Sequence, residues 1–402
     1  MLRDMRIALV TDYYLPTLGG VQTAVKSLRE ALTRAGHEVA VFCPLAQPSA
    51  DPSIVALSTS RAFRPDGYPF TWPPRDAAAL MRREFIERRI DVVHTHSEMF
   101  ATLAGVRAAR DLGLPIVHTM HGRVDVYTTS VLPLPRVTVP LLAALHARHI
   151  SHRGLRVRPD SPYTATPAAR SMWRLMLAQS RASDHVIVPS THFARKLTQQ
   201  GVQTPISVVP NGLEPSVLDR IGAPLERRLS PGETLRLVWV GRLSPEKRPA
   251  VLADAARTFA RDVAVDVYGD GLSRRSIERR GTRLALHGSV SQQEVLDAMR
   301  ASHLLVSSSY DFDNQPMVML EAAASGLPVL FCDPDLGEVV PPGGGFLTDT
   351  PDAAGISALV AKIRREPHMI TAASAAMIRG RAQIEQRVDP IIAVYESAMS
   401  TG

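Results

Sequence analysis

The chain has 402 residues, 45% hydrophobic and 21% charged, a folded-protein balance with more apolar material than one ordinary core holds. Its two cysteines, Cys43 and Cys332, lie far apart and outside any CxxC spacing. They argue against a disulfide framework or zinc cage and for a reducing, cytoplasmic setting. The net charge of +7 points to an anionic partner, and no uninterrupted apolar run of about 18 residues offers a membrane-spanning helix.

In chain order, the first residues read as a strand rather than a signal peptide, because no apolar core with a small-residue cleavage site is present. Arg6-Ile-Ala-Leu-Val-Thr11 is a short apolar run of the buried parallel kind. A loop with Gly19 and Gly20 follows, then Val21, Val25, Leu28 and Leu32 at helical spacing up to Gly36, then a strand from Val39 to Cys43. This is a βαβ unit. Residues 47–75, rich in Pro, Ser and Asp, read as a long surface loop. Further strands are expected at 91–94, 115–118 and 185–188, completing a first α/β domain over 1–209.

A second series begins after the polar connection 214–233, with strands at 235–240, 263–268, 284–287, 304–307 and 329–331. It defines a second α/β domain over 210–375 and leaves 376–402 as a helix expected to pack back on the first domain. The fold class is therefore α/β, two doubly wound parallel sheets whose strand ends are expected to face an interdomain cleft. The pattern alone does not separate a transferase from an epimerase or a sugar-binding module.

Three features carry chemistry. Gly19-Gly20 sits between a strand and a helix N-terminus, where backbone N–H groups can hold a diphosphate, although a plain tight turn reads the same way. Gly241-Arg242-Leu-Ser-Pro-Glu-Lys247 follows a buried strand directly, so a guanidinium fork and an ammonium can bracket a pyrophosphate. Solvated surface charge is the bland alternative. Asp313 and Glu321 flank a loop-to-helix junction with seven residues between them, a setting for sugar hydroxyls, or else a capping Asp and a solvated helical Glu.

Taken together, GR-x4-K, acid-x7-E and E-A-x-A-x-G-x-P-V resemble glycosyltransferase family 4, the retaining enzymes of two Rossmann-like domains called GT-B. HTxH at 118–121, ASDHVIVPS at 182–190, VVPNG at 208–212 and Gly269-Asp-Gly271 agree in order, and the similarity spans essentially the whole chain. The resemblance implies a hexose donor of the UDP-glucose or GDP-mannose kind. Arg242 and Lys247 would bind its diphosphate, with Gly19, Gly20 and Gly241 as backbone contacts. Glu321 would hold the ribose. Asp313, where the family usually has Glu, would contact the transferred sugar. Asn314, Gln315, Met317 and Val318 would line sugar and phosphate, with Gly269, Gly271 and Val290 near the base. His121 matches the family's active-site histidine, while His94 and His96 keep a core reading. With no separate side-chain nucleophile, the implied mechanism is a front-face displacement assisted by the leaving diphosphate, and no catalytic metal or other cofactor is expected despite the triplets Asp311-Phe-Asp313 and Asp333-Pro-Asp335.

The acceptor reading rests on less. His96-Ser-Glu98 and HTxH-x3-Asp125-x-Tyr127 resemble the branch that glycosylates diacylglycerol, but Thr128-Thr-Ser130 stands where that branch continues with tyrosines. Residues 131–175 carry seven arginines and one acid. With Leu, Val and Trp173 interspersed, they suit peripheral contact with an anionic membrane at the inner face of the cell. A lipid acceptor is therefore expected first, a soluble small molecule second. Few aromatics accompany the basic stretch, so no nucleic-acid partner is expected.

Overall fold

The computed structural model describes residues 4–14, 19–45, 47, 49–60, 69–281 and 283–401. It contains two compact units, Met1–Asn211 with Gln386–Gly402, and Gly212–Glu385. The first unit runs β1 (Arg6–Val10), α1 (Gly20–Arg34), β2 (Glu38–Pro44), β3 (Ile54–Leu57), α2 (Pro74–Glu87), β4 (Val92–Thr95) and α3 (Phe100–Leu112). It continues through β5 (Ile116–Thr119), α4 (Val124–Val131), α5 (Pro135–Ala147), α6 (Pro167–Arg181), β6 (His185–Val188), α7 (Thr191–Gln199) and β7 (Ile206–Val208). Its described strands form one parallel sheet in the order β3-β2-β1-β4-β5-β6-β7.

Both faces of this sheet are covered, which is why its strands read as continuous apolar runs. Ile7 and Leu9 of β1 pack with Val41, Val92 and Val117 on one side. Ala8 and Val10 pack with Phe42, Val93 and the helices α2 and α3 on the other.

The second unit runs α8 (Pro215–Ile221), β8 (Leu235–Val240), α9 (Pro249–Ala256), β9 (Val263–Tyr268), α10 (Arg274–Glu278), β10 (Leu284–Gly288) and α11 (Gln292–Arg300). Then come β11 (Leu304–Ser307), α12 (Met317–Ser325), β12 (Val329–Phe331), β13 (Gly345–Leu347), α13 (Ala353–Arg365) and α14 (His368–Gly380). Its sheet, also parallel, has the order β10-β9-β8-β11-β12-β13. The last helix, α15 (Asp389–Thr401), returns to the first unit, where Ile391, Ile392, Val394 and Tyr395 join the core beside Ile7 and Leu9.

Several expectations need correcting. Residues 47–75 are not wholly a loop: β3 pairs with β2 from Ile54 to Leu57, and a bridge joins Thr59 to Thr71. Residues 61–68 of that stretch lie outside the described residues. The segment 376–402 is not one helix. Its start belongs to α14, which ends at Gly380 where a Cβ would run into the Pro341 ring, and α15 begins afresh at Asp389-Pro390. The edge strands β7 and β13 are three residues each, too short to carry a period.

In the second unit the loops leaving β8 and β9 stay paired beyond the strands. Gly241 N–H donates to Tyr268 O at 3.0 Å, and Leu243 N–H to Asp270 O at 2.9 Å. Three glycines permit the approach. Gly241, Gly269 and Gly271 have φ of 154°, 131° and 152°. A Cβ at Gly269 would overlap the Gly241 carbonyl oxygen, and one at Gly271 would lie 2.6 Å from Leu243 O. Gly20, by contrast, has no atom within 4 Å of where its Cβ would sit. Gly269→Ala should therefore cost more than about 2 kcal/mol of stability, whereas Gly20→Ala should stay within about 1 kcal/mol of wild type. Calorimetric unfolding checks both, and a Gly269→Ala chain as stable as wild type would contradict the reading.

Candidate active site

The strand order of the second unit reverses between β8 and β11, and ligands of open parallel sheets bind outside the carboxyl ends of the strands at such a reversal. The loop after β8 delivers Arg242 and Lys247 there, and the loop after β11 delivers Asp313 and Asn314. The two loops are tied by hydrogen bonds: Trp239 Nε1 donates to Ser308 Oγ at 3.0 Å, and that hydroxyl donates to Lys247 O at 2.8 Å. Lys247 Nζ donates to Asp313 Oδ1 at 2.6 Å. Arg242 donates to Glu246 Oε1 at 3.1 Å, where the Ser244 hydroxyl also donates. The Glu246 side chain is fully buried, so it aims the guanidinium from beneath.

Asp313 Oδ2 and Asn314 Nδ2 are both buried here without a hydrogen-bond partner. One acceptor and one amide donor side by side suit a ligand carrying hydroxyls, which would relieve the desolvation cost of both. The helix α12 starts immediately beyond, at Met317 and Val318, with Gln315 and Pro316 before it. No side chain caps its N-terminus, and the dipole there favours an anion.

Glu321 is buried rather than solvated, at 7% exposure. Its Oε1 accepts from Gln292 Nε2 at 2.9 Å, and burial pushes its carboxyl above the ordinary value. Gln292 opens α11, whose N-terminus is closed by a capping box of Ser291 and Glu294, and half-buried Val290 directly precedes that box. Gly269 and Gly271 are held against Gly241 and Leu243 by the backbone crossing already described. The two acidic triplets are used within the protein: Asp333 accepts from the backbone N–H groups of Asp311 and Asp335.

In the first unit the order reverses between β1 and β4. Asp12, just after β1, is buried and accepts from Ser97 Oγ at 2.6 Å and from the N–H groups of Met99 and Ala101, closing the start of α3. Gly19 precedes α1, and its carbonyl accepts from Thr23 N–H. His121 stands two residues beyond β5, which is the fifth strand and not the fourth, because β3 precedes it. His94 is a core residue as expected, bonded at 2.7 Å to Tyr395 Oη and at 2.7 Å to Thr119 Oγ1. His96 is not merely core: its Nδ1 meets His121 Nε2 at 3.1 Å, and both rings line one recess. Arg123 and Asp125 form a buried bidentate pair at 2.8 and 2.6 Å, with the guanidinium over the Tyr163 ring.

Sequence reading gave no role to Glu246 and Ser97, which lie inside quoted motifs, or to Gln292, which lies outside them. All three orient a neighbour.

Burial drives the pKa of His94 and His96 well below 6.5 and that of His121 and His146 down to about 3. Each stays neutral in the fold while its unfolded counterpart gains a proton below 6.5, so each contributes stability present above that pH and lost on acidification. Asp12, raised to about 6 by burial, and Glu321, also raised by burial, act oppositely, but they are two groups against these four. Unfolding free energy should thus fall by at least about 1.4 kcal/mol per unit between pH 6 and 5. Urea titrations across this range measure it; stability that is flat or rises toward pH 5 would contradict the buried, neutral state of these rings.

Comparison with known proteins gives the family and the fold. The profile of Glycosyltransferase Family 4 matches residues 18–217, and that of Glycosyl transferases group 1 matches 234–365. A GDP-mannose-dependent alpha-mannosyltransferase of Mycobacterium tuberculosis is 28% identical over 341 residues, covering 83% of this chain and 80% of that one. Alpha-monoglucosyldiacylglycerol synthase of Streptococcus pneumoniae is 25% identical over 346 residues, covering 81% and 70%. Among solved structures, sucrose-phosphate synthase from Thermosynechococcus elongatus superposes with a TM-score of 0.71 at 17% identity, covering 99% of this chain and 100% of that one. HepE from Anabaena, solved in complex with UDP-glucose, superposes at 0.67 and 15%, with the same coverage. The fold, the strand-end constellation and the two profiles lead to one conclusion: the chain belongs to glycosyltransferase family 4, built on the two Rossmann-like units of the GT-B class.

Proposed function

We propose that the chain is a retaining hexosyltransferase that takes a hexose from a GDP-mannose-like or UDP-glucose-like donor and passes it to a hydroxyl of a membrane lipid. The observation that carries the donor half is the convergence of Arg242, Lys247, Asp313 and uncapped α12 at the β8–β11 reversal. Arg242 and Lys247 neutralise the diphosphate as it departs, the role a metal ion plays elsewhere, so transfer proceeds without one. The Lys247–Asp313 pair is exposed enough for a diphosphate to compete for the ammonium, at 24% and 11% for the two side chains. That competition frees Asp313 for a sugar hydroxyl. Glu321 holds the ribose. The acceptor O–H attacks C1, the C1–O bond to the diphosphate breaks on the same face, and the proton passes to the departing phosphate oxygen. His121, neutral at working pH, serves as a hydrogen-bonding group toward the sugar.

The lipid half is supported by α5. Leu134, Val137 and Leu141 are 77%, 66% and 58% exposed, an apolar stripe at helical spacing with Arg136 beside it. Val139 and His146 on the opposite side are buried. Arg148, Arg153, Arg156 and Arg158 continue the exposed positive charge. Trp173, expected among these surface residues, is instead fully buried against Tyr163 and Phe193. No helix among the described residues is long and apolar enough to cross a membrane. An apolar stripe with a basic border fits the interface of an anionic bilayer on the cytoplasmic side.

Arg242→Ala and Lys247→Ala should each lose transfer by about tenfold to a hundredfold, because a charge-assisted contact is worth roughly 1.5–3 kcal/mol. Turnover near wild type in either variant removes that residue from the mechanism. In the same assay the product should keep the donor's α configuration and activity should survive EDTA; an inverted product by NMR overturns the retaining assignment.

The membrane contact makes a separate expectation. The protein should co-sediment with phosphatidylglycerol vesicles at low salt and leave them at high salt, since each arginine near the surface adds about 1 kcal/mol that salt screens. Val137→Ser with Leu141→Ser should weaken that binding. Indifference to vesicle charge, or no binding at all, favours a soluble acceptor.

A further inference from the structure

A buried and a half-buried imidazole share one hydrogen bond in the first unit. His96 Nδ1 lies 3.1 Å from His121 Nε2, with the rings inclined at 28°. His96 is 3% exposed, and its other nitrogen, Nε2, is buried without a hydrogen-bond partner. The ring is held in place from behind by His94, whose centroid is 4.0 Å away and whose own nitrogens are taken by Tyr395 and Thr119. Burial keeps both members of the pair neutral, so the bond between them contains a single proton.

That proton can come from either ring. If His121 donates through Nε2–H, His96 must carry its own proton on Nε2, inside the protein, with no acceptor. If His96 donates through Nδ1–H, its Nε2 is a bare lone pair. An orphaned buried N–H is the rarer and costlier defect, whereas an unfilled acceptor is better tolerated. The second arrangement wins. His121 then carries its proton on Nδ1, the nitrogen that faces away from His96.

We propose that His96 is a positioning residue that fixes His121 as the Nδ1–H tautomer, so that His121 meets a sugar oxygen as a hydrogen-bond donor and not as a base. The functional consequence rests on the role given to His121 above; the tautomer itself does not. A donor on His121 fits a transfer in which the leaving phosphate, rather than a protein base, takes the acceptor's proton.

The test is the nitrogen-15 spectrum of the histidine rings in the ligand-free full chain, with His121 assigned by the peaks lost in His121→Asn. Wild type should show His121 protonated on Nδ1. His96→Phe keeps an aromatic ring but removes the donor, and His121 should revert to the Nε2–H form that a free imidazole prefers. Its kcat should fall at least about tenfold while the donor KM stays within about threefold, the split expected when a transition-state contact is misoriented. His96→Asn can place an amide N–H where Nδ1–H stood, and it should restore both the tautomer and most of kcat. An Nε2–H tautomer in wild type, an unchanged tautomer in His96→Phe, or Asn behaving no better than Phe would overturn the proposal. Full activity of His121→Asn would instead overturn the role of His121 in transfer, and the wild-type and His96→Phe spectra would still decide the tautomer.

Discussion

The second unit depends on a place where two backbones touch with no room for a side chain. Gly269 lies against the carbonyl of Gly241, and Gly271 against that of Leu243, so the loops leaving β8 and β9 continue to pair past their strands. This fixes where the β8 loop turns, and therefore where Arg242 and Lys247 emerge. From the other side the β11 loop is anchored to the same segment through Trp239, Ser308 and the Lys247 carbonyl. Main-chain geometry thus sets where the two cations leave the backbone, and Glu246 and Asp313 then orient their heads, the kind of preorganisation that makes electrostatic stabilisation effective.

The two units manage charge in opposite ways. In the second, partly exposed cations are paired with more deeply buried carboxylates at the strand ends: Lys247 with Asp313, Arg242 with Glu246. In the first, the strand ends carry imidazoles that burial keeps neutral, together with an Asp12 whose carboxyl is pushed up to about 6. A highly charged ligand suits the former environment, and uncharged hydroxyls suit the latter. The exposed charge of the first unit lies elsewhere, on the arginines around and beyond α5.

Most of the architecture was legible in the sequence because a sheet covered on both faces writes its strands as apolar runs, and β1, β4, β5, β6, β8, β9 and β11 all do so. Three of the four edge strands were not legible. β7 and β13 are three residues long, and β3 sits in a stretch whose Pro and Asp hide four apolar residues. Residues inside motifs, such as Arg242, Lys247 and Glu321, were named because charge after a buried strand is informative. Their partners were missed. Glu246, four positions from Arg242, looked like a spacer; Gln292 looked like an ordinary helix start and His96 like a core histidine, since a contact between residues 29 or 25 positions apart leaves no local periodicity. Trp173 was misplaced for the same reason: arginines surround it in sequence, whereas in space its neighbours are Tyr163 and Phe193.

The central claim is that the second unit carries a nucleoside-diphosphate site at the β8–β11 reversal. Calorimetric titration of the full chain with GDP, UDP and ADP, repeated on a combined Arg242→Ala and Lys247→Ala variant, tests it directly. One of the three should bind one-to-one without added metal and stabilise the fold by about 2.7 kcal/mol at a hundredfold excess over its Kd, and the variant should bind it at least about a hundredfold more weakly. No binding of any of the three, or equal binding by the variant, would contradict the account.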